Sequence, residues 1–372
     1  MLSFGAGSAT PPPADFGLAT MRPAHILSIL DREFLAAASG IHAPVMVWGA
    51  PGVGKSRIVS DIARARGVPV IDIRLSQMEP TDLRGIPFRK ADTVEWSVPV
   101  MLPDAARHGA RGILFLDEIN AAPPTVSAAA YQLILDRRLG EYRVPDGWAI
   151  FAAGNRQGDR GVTYLMPPPL ANRFTHYELD PHLDDWVAWA YDNKVDPRIV
   201  AFLRFRPELL FDFDPAHNPI AFPSPRSWEF AHLALQKFAD TPALLVDALQ
   251  ACVGKAAGIE LKAFLDSMDR LPDIDAILRG ERRDVPAALD LQYGVAAALV
   301  RRARDARDRV DAQRVFGHIL DYARGFPQRE MGIMLVTDMH RSIGQPLYDV
   351  PEFSDWANSI TDLMLYEVMA AR

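Results

Sequence analysis

From Ala43 onward the chain alternates short, mainly apolar runs with stretches whose apolar residues recur at helical spacing. A strand buried on both faces has no polar side to show, so this alternation predicts a parallel sheet with helices packed over both faces, an α/β fold. The runs are Val45 to Trp48, Val70 to Leu75, Ile113 to Leu116, Trp148 to Ala153 and Phe174 to Leu179, which predict five strands. Between the second and third, Ile86 to Val98 has β-forming flanks around Lys90-Ala91-Asp92 and reads as an inserted hairpin. Arg138 to Trp148, with Gly140 and a Pro145-Asp146-Gly147 turn, reads as another.

At Asp180-Pro181 the pattern becomes helical: Asp as N-cap and Pro at the first helical position start a helix expected to run through Trp189. Trp186, Trp189 and Tyr191, near helical spacing, read as packing residues rather than a cofactor box. His217 to Arg226, with Pro219, Pro223 and Pro225, is a stiff linker within the helical part, and Pro272 to Pro286 is a second break. The expected organisation is a flexible arm over 1–24, an α/β domain over 25–180, a helical domain over 181–271 and a helical extension over 272–372.

Composition narrows the class. Of 372 residues, 49% are hydrophobic and 23% charged, which fits a globular protein and excludes collagen-like or disordered chains. The lone cysteine, Cys252, excludes an intrachain disulfide framework and a Cys-rich zinc site, and suggests a reducing, cytoplasmic setting. The first twenty residues lack the charge and apolar core of a secretory signal, and no run reaches the roughly eighteen apolar residues of a membrane span. A net charge of −7 points away from a domain-wide nucleic-acid footprint. The series Arg301, Arg302, Arg304, Arg307 and Arg309, interleaved with Asp305 and Asp308, reads as a solvated helix face. The histidines include no metal-binding spacing.

Chemistry concentrates in two places. Gly49-Ala50-Pro51-Gly52-Val53-Gly54-Lys55-Ser56 fits G-x-x-x-x-G-K-[ST] and lies between an apolar strand and the predicted helix Arg57 to Arg66. Glycines let main-chain N–H groups wrap phosphates, the helix N-terminus adds its dipole, Lys55 reaches the β/γ oxygens and the Ser56 hydroxyl suits Mg²⁺. Gly49, Pro51, Gly52, Val53, Gly54, Lys55, Ser56 and Arg57 are the candidate nucleotide-binding residues. Ile113-Leu114-Phe115-Leu116-Asp117-Glu118 is an apolar strand ending in two carboxylates, a Walker B pattern in which Asp117 holds Mg²⁺ through water and Glu118 polarises the attacking water. Together they indicate hydrolysis of a nucleoside triphosphate. Asp82-Leu83-Arg84-Gly85 and Asn193-Lys194-Val195-Asp196 match two GTPase signatures, but neither follows an apolar strand, so GTP specificity is set aside.

These motifs, with FAAGN ending at Asn155, LANRF with Arg173 and PSPRSWE with Arg226, follow the order of an AAA+ ATPase. Over roughly residues 25 to 270 the chain resembles the MoxR family, and the two hairpins resemble those of the larger helix-2-insert clade. The resemblance implies an AAA+ P-loop module followed by a helical lid. It assigns Asn155 as sensor 1, Arg173 as an arginine finger reaching the next subunit and Arg226 as sensor 2, with Arg156 and Arg160 as lesser candidates for a second trans contact. It also implies ATP with Mg²⁺, a homo-oligomeric, hexameric ring and a partner carrying a von Willebrand factor A domain, with which such proteins help to mature or insert metal into target enzymes. A McrB-like nucleic-acid motor and a nucleotide-gated scaffold that does not turn over are the alternatives.

Overall fold

The computed structural model describes residues 17–156, 158–159, 164–217 and 220–370, the last ten by backbone alone. The chain divides after His182 into two units, with a short return to the first beginning at Asp214.

The strands of the first unit are β1 (Thr20–Met21), β2 (Val45–Trp48), β3 (Val70–Arg74), β4 (Pro87–Lys90), β5 (Thr93–Trp96), β6 (Arg111–Asp117), β7 (Arg138–Leu139), β8 (Tyr142–Arg143), β9 (Gly147–Gly154) and β10 (Thr175–Leu179). Six form one sheet in the order β1-β10-β2-β9-β6-β3, and its paired strands run parallel. The five apolar runs are its five long strands. The sixth, β1, comprises Thr20 and Met21, too short to carry a periodic signal. It lies inside the expected flexible arm, whose last residues are therefore structured, while residues 1–16 lie outside the described residues.

The predicted hairpins are β4–β5, paired from Pro87↔Trp96 to Lys90↔Thr93, and β7–β8. The second is shorter than expected: it ends at Arg143, and Pro145-Asp146-Gly147 leads into β9 instead, Trp148 N–H donating to Pro145 O at 3.0 Å. The helix expected to begin at Asp180-Pro181 starts at Leu183 and ends at Asp192. Asp180 is diverted because its N–H donates to Met21 O at 3.0 Å, extending the β1–β10 ladder.

The sheet core is built on close fits. In β6, a Cβ on Gly112 would lie 2.6 Å from the ring of Trp148, itself fully buried, so only glycine lets the indole lie against the strand. The helix Lys55–Arg66 begins at Gly54, whose φ of 105° L side chains rarely adopt, and stops at Gly67 with φ 63°, whose N–H caps Ala63 and Arg64.

The second unit is helical. In its longest fully described helix, Leu289–Ala306, Leu291, Val295, Leu299 and Ala303 form a buried i, i+4 stripe. Helices on both sides of Leu271 share one core, so the helical domain and extension expected to separate there pack as one unit. Trp186 and Tyr191 are core residues. Arg204 is clamped on the buried Asp338, donating at 3.1 Å from Nε and 2.7 Å from Nη2, and Tyr191 OH donates to the same carboxylate at 3.2 Å. Burial nonetheless leaves the Asp338 carboxyl above its ordinary range, although Arg204 and Arg341 act against it. Arg302 pairs with Asp275 and Arg309 with Asp311, and Arg304 donates to Tyr191 O at 2.6 Å, so much of the arginine series is committed within this unit.

Candidate nucleotide site

The site lies at the C-terminal ends of β2, β6 and β9, where a parallel sheet opens onto the loops that follow its strands. β2 feeds the P-loop directly. Gly49 is pressed so closely against β10 that a Cβ there would sit 2.9 Å from Leu179 O, and Gly52 and Gly54 have φ values of 83° and 105°. The glycine spacing thus reflects backbone geometry as well as room for phosphate.

Lys55 Nζ donates to Gly49 O at 2.7 Å, Ala50 O at 3.0 Å and Asn155 Oδ1 at 2.9 Å. The ammonium is therefore held at the mouth of the loop, in contact with the candidate sensor on β9's end. Ser56 Oγ donates to Asp117 Oδ2 at 2.8 Å, while Glu118 N–H donates to Asp117 Oδ1 at 2.9 Å. Asp117 is 9% exposed. A hydroxyl and a carboxylate side by side are hard oxygen donors suited to Mg²⁺, which in such sites completes its shell with phosphate and water. Among the described residues no cluster of three or more His, Cys, Asp or Glu could hold a metal by itself.

Glu118 takes φ 54°, ψ 36°, a left-handed conformation uncommon for a side-chain-bearing residue. It turns the chain out of β6, and Ser76 Oγ donates to its Oε2 at 2.5 Å. On β3, Asp72 has its carboxyl raised above the ordinary value, first by partial desolvation and then by the charges of Asp117 and Glu118, against the opposing pull of Arg74. The sheet edge thus carries concentrated negative charge.

Asn120 clasps the other side. Only 4% exposed, it donates from Nδ2 to Asn155 O at 2.8 Å and accepts Asn155 N–H on Oδ1 at 3.2 Å. The clasp leaves no room at its neighbour: a Cβ on Gly154 would lie 2.6 Å from Asn120 Oδ1. The sequence reading missed Asn120 and Ser76 because each resembles an ordinary polar residue just beyond a strand.

Arg173 follows the short helix Pro168–Ala171, with its guanidinium carbon 5.6 Å from the centroid of Tyr131. Arg156 is engaged inside its own unit, by Glu178 at 3.1 Å and Asp159 at 3.5 Å, which removes the uncommitted cation that a second trans contact needs. Arg160 lies outside the described residues. Arg57 pairs with Asp61 along its helix at 3.1 Å. Arg226 belongs to the helical unit, exposed in the first turn of Pro225–Lys237, which starts on a Ser224–Ser227 capping box. The structure thus brings together Lys55, Ser56, Asp117, Glu118 and Asn155. Of the GTPase look-alikes, Asp82 stands in the short helix Pro80–Arg84, and Asn193 follows Leu183–Asp192.

Residues 44–174 match the family model "AAA domain (dynein-related subfamily)". Midasin from Giardia intestinalis is 30% identical over 167 residues, covering 43% of this chain and 3% of its own length. Protein NorQ from Paracoccus denitrificans (strain Pd 1222) is 28% identical over 152 residues, covering 39% of this chain and 55% of its own. The chain therefore spans a small part of midasin and about half of NorQ. Among solved structures, a RuvB mutant from Thermotoga maritima aligns at 17% identity and TM-score 0.37, over 74% of this chain and 81% of that one.

Proposed function

We propose that the chain is a MoxR-like AAA+ protein that hydrolyses ATP in a homo-oligomeric ring and uses the cycle to remodel or activate a partner protein. The observation that carries this reading is the convergence of Lys55, Asn155, Ser56, Asp117 and Glu118 at the ends of three neighbouring strands. The P-loop amides and Lys55 would bind the triphosphate. Ser56 and Asp117 would hold Mg²⁺, which when bound neutralises phosphate charge. Glu118, steadied by Ser76, would orient and polarise the lytic water, and Asn155 would fix the terminal phosphate or that water. Arg173 would act on the neighbouring subunit's nucleotide as an arginine finger, and Arg226 is assigned the sensor-2 role by resemblance.

The inserted hairpin supports a polypeptide client. Ile86, Phe88, Val94, Trp96, Val98 and Val100 are each at least 46% exposed along and beside β4–β5, a concentration of apolar surface that marks a protein contact rather than a phosphate-backbone one. Lys90 there is paired with Glu95 at 3.1 Å. The hexameric ring, the von Willebrand factor A domain partner and the maturation role rest on the family resemblance.

The test is Mg²⁺-dependent ATP turnover by the purified chain. Lys55→Ala should lose ATP binding, because Lys55 contacts ground-state phosphates, whereas Glu118→Gln should bind ATP but turn over at least about 10²-fold more slowly. Equal turnover by wild type and Glu118→Gln would falsify the role given to Glu118. Light scattering of Glu118→Gln with ATP should show assembly, and a strictly monomeric species at saturating ATP removes the ring.

A further inference from the structure

Arginines in this protein commonly rest on carboxylates, as Arg66 does on Asp31 and Arg204 on Asp338. Arg173 is held differently. Its guanidinium carbon lies 5.6 Å from the centre of the Tyr131 ring, and among the described residues no carboxylate pairs with it. A ring attracts a cation through its π face without occupying N–H donors. The Arg173 charge and fork are therefore placed in space yet left available to phosphate, whereas a carboxylate would neutralise both.

The main chain of Arg173 is held as well. Its N–H donates to Leu170 O at 3.0 Å and Phe174 N–H donates to Ala171 O at 3.1 Å, forming a tight turn. The next side chain but one, His176 on β10, sets Nε2 2.8 Å from Ala171 O and accepts Trp48 Nε1–H on Nδ1 at 3.0 Å. These partners fit one tautomer, with the proton on Nε2. The His176 and Trp48 rings lie nearly parallel, 16° apart with centroids separated by 6.0 Å. Trp48 is the last residue of β2, immediately before Gly49 of the P-loop. One imidazole thus ties the turn bearing Arg173 to the strand bearing the nucleotide loop, while Tyr131 ties the guanidinium to the helix Pro124–Asp136.

We propose that Tyr131 and His176 are positioning residues for Arg173, presenting its guanidinium to the neighbouring subunit's nucleotide. This rests on the reading of Arg173 as a trans finger.

The experiment mixes full-length subunits and measures ATP turnover, with exchange verified by two affinity tags. Arg173→Ala mixed with Glu118→Gln should regain turnover, because some junctions then combine an intact P-loop and Glu118 from one parent with an intact Arg173 from the other. Tyr131→Leu should bind ATP within about 2-fold of wild type and lose about 2- to 30-fold in turnover, the range set by one ring–cation contact. His176→Ala should lose about 10-fold, as expected for a displaced turn. Tyr131→Phe, which keeps the ring face, should restore turnover. Both weakened variants should regain turnover when mixed with Glu118→Gln and gain none when mixed with Arg173→Ala, since those mixtures supply no properly presented finger. A variant that merely damages folding or its own nucleotide pocket cannot give this pattern.

Rescue of either variant by Arg173→Ala, loss of its ATP binding, or Tyr131→Phe as impaired as Tyr131→Leu overturns the inference. If Arg173→Ala is not rescued by Glu118→Gln while exchange is shown, the finger reading itself is wrong, and the inference goes with it.

Discussion

Asn120→Ala should do damage well beyond what a polar side chain two residues after Glu118 suggests. Asn120 is 4% exposed and makes two hydrogen bonds to the main chain of one residue, 2.8 Å to Asn155 O and 3.2 Å from Asn155 N. Alanine removes both and leaves two main-chain groups at the end of β9 without these partners. At about 1–2 kcal/mol for each group so stranded, the expected loss is about 2–4 kcal/mol of stability in the α/β unit. Urea unfolding followed by circular dichroism should show a midpoint lower by about 1–2 M, given a denaturant slope of about 2 kcal/mol/M. Activity should fall further than stability alone explains, because Asn155 also touches Lys55 at 2.9 Å, and misplacing a positioned group by about 1 Å can cost about 10²-fold. Turnover measured well below the unfolding midpoint separates the two effects. Wild-type turnover together with an unchanged midpoint would refute the clasp.

Three further outcomes follow from other contacts. Gly112→Ala should destabilise by about 1–3 kcal/mol, since its Cβ would lie 2.6 Å from the Trp148 ring; an unchanged thermal midpoint contradicts that packing. Ser76→Ala should leave ATP binding intact and slow turnover by about 10-fold by releasing the Glu118 carboxylate, whereas weakened binding with normal turnover would place Ser76 elsewhere in the cycle. Burial, with Arg137 nearby, lowers the His42 pKa from 6.5 to about 4. The unfolded chain then binds the proton more readily than the folded one between those values. Stability should therefore fall by up to about 3 kcal/mol as pH drops from 6.5 to 4, and His42→Gln should flatten that component while the carboxylates titrate as before. Parallel pH profiles for the two proteins would remove His42 as its source.

How much of this was legible in the sequence depends on which side chains settle each feature. β2, β6 and β9 were readable because burial on both faces leaves an apolar run with few alternatives, and the P-loop because its glycines sit where the backbone demands them. β1 was not, since two residues carry no period, and its pairing with Glu178 and Leu179 is a long-range event. The displaced start at Leu183 shows the same limit: the Asp-Pro cap signal was sound locally, but Asp180 is taken up by Met21. In the site, Lys55, Ser56, Asp117 and Glu118 lie in motifs whose spacing encodes their meeting. Asn120, Tyr131 and Ser76 have no such spacing. His176 and Glu178 did leave a trace, as polar residues alternating along a strand flanked on both sides, each obliged to find a partner.

The clamp between Arg204 and Asp338 also orders events during synthesis. The two residues are 134 positions apart, and at about 5–20 residues per second a ribosome needs roughly 7 to 27 s to travel from one to the other. Throughout that interval the helices around Tyr191 and Arg204 have been made but lack the carboxylate on which both side chains close. The α/β unit up to His182 has been made by then, and its short return beginning at Asp214 follows early in the interval. The nascent chain therefore carries a finished nucleotide-binding half while its helical half still waits for its last anchor, and a message truncated before codon 338 would yield a protein whose helical core cannot lock.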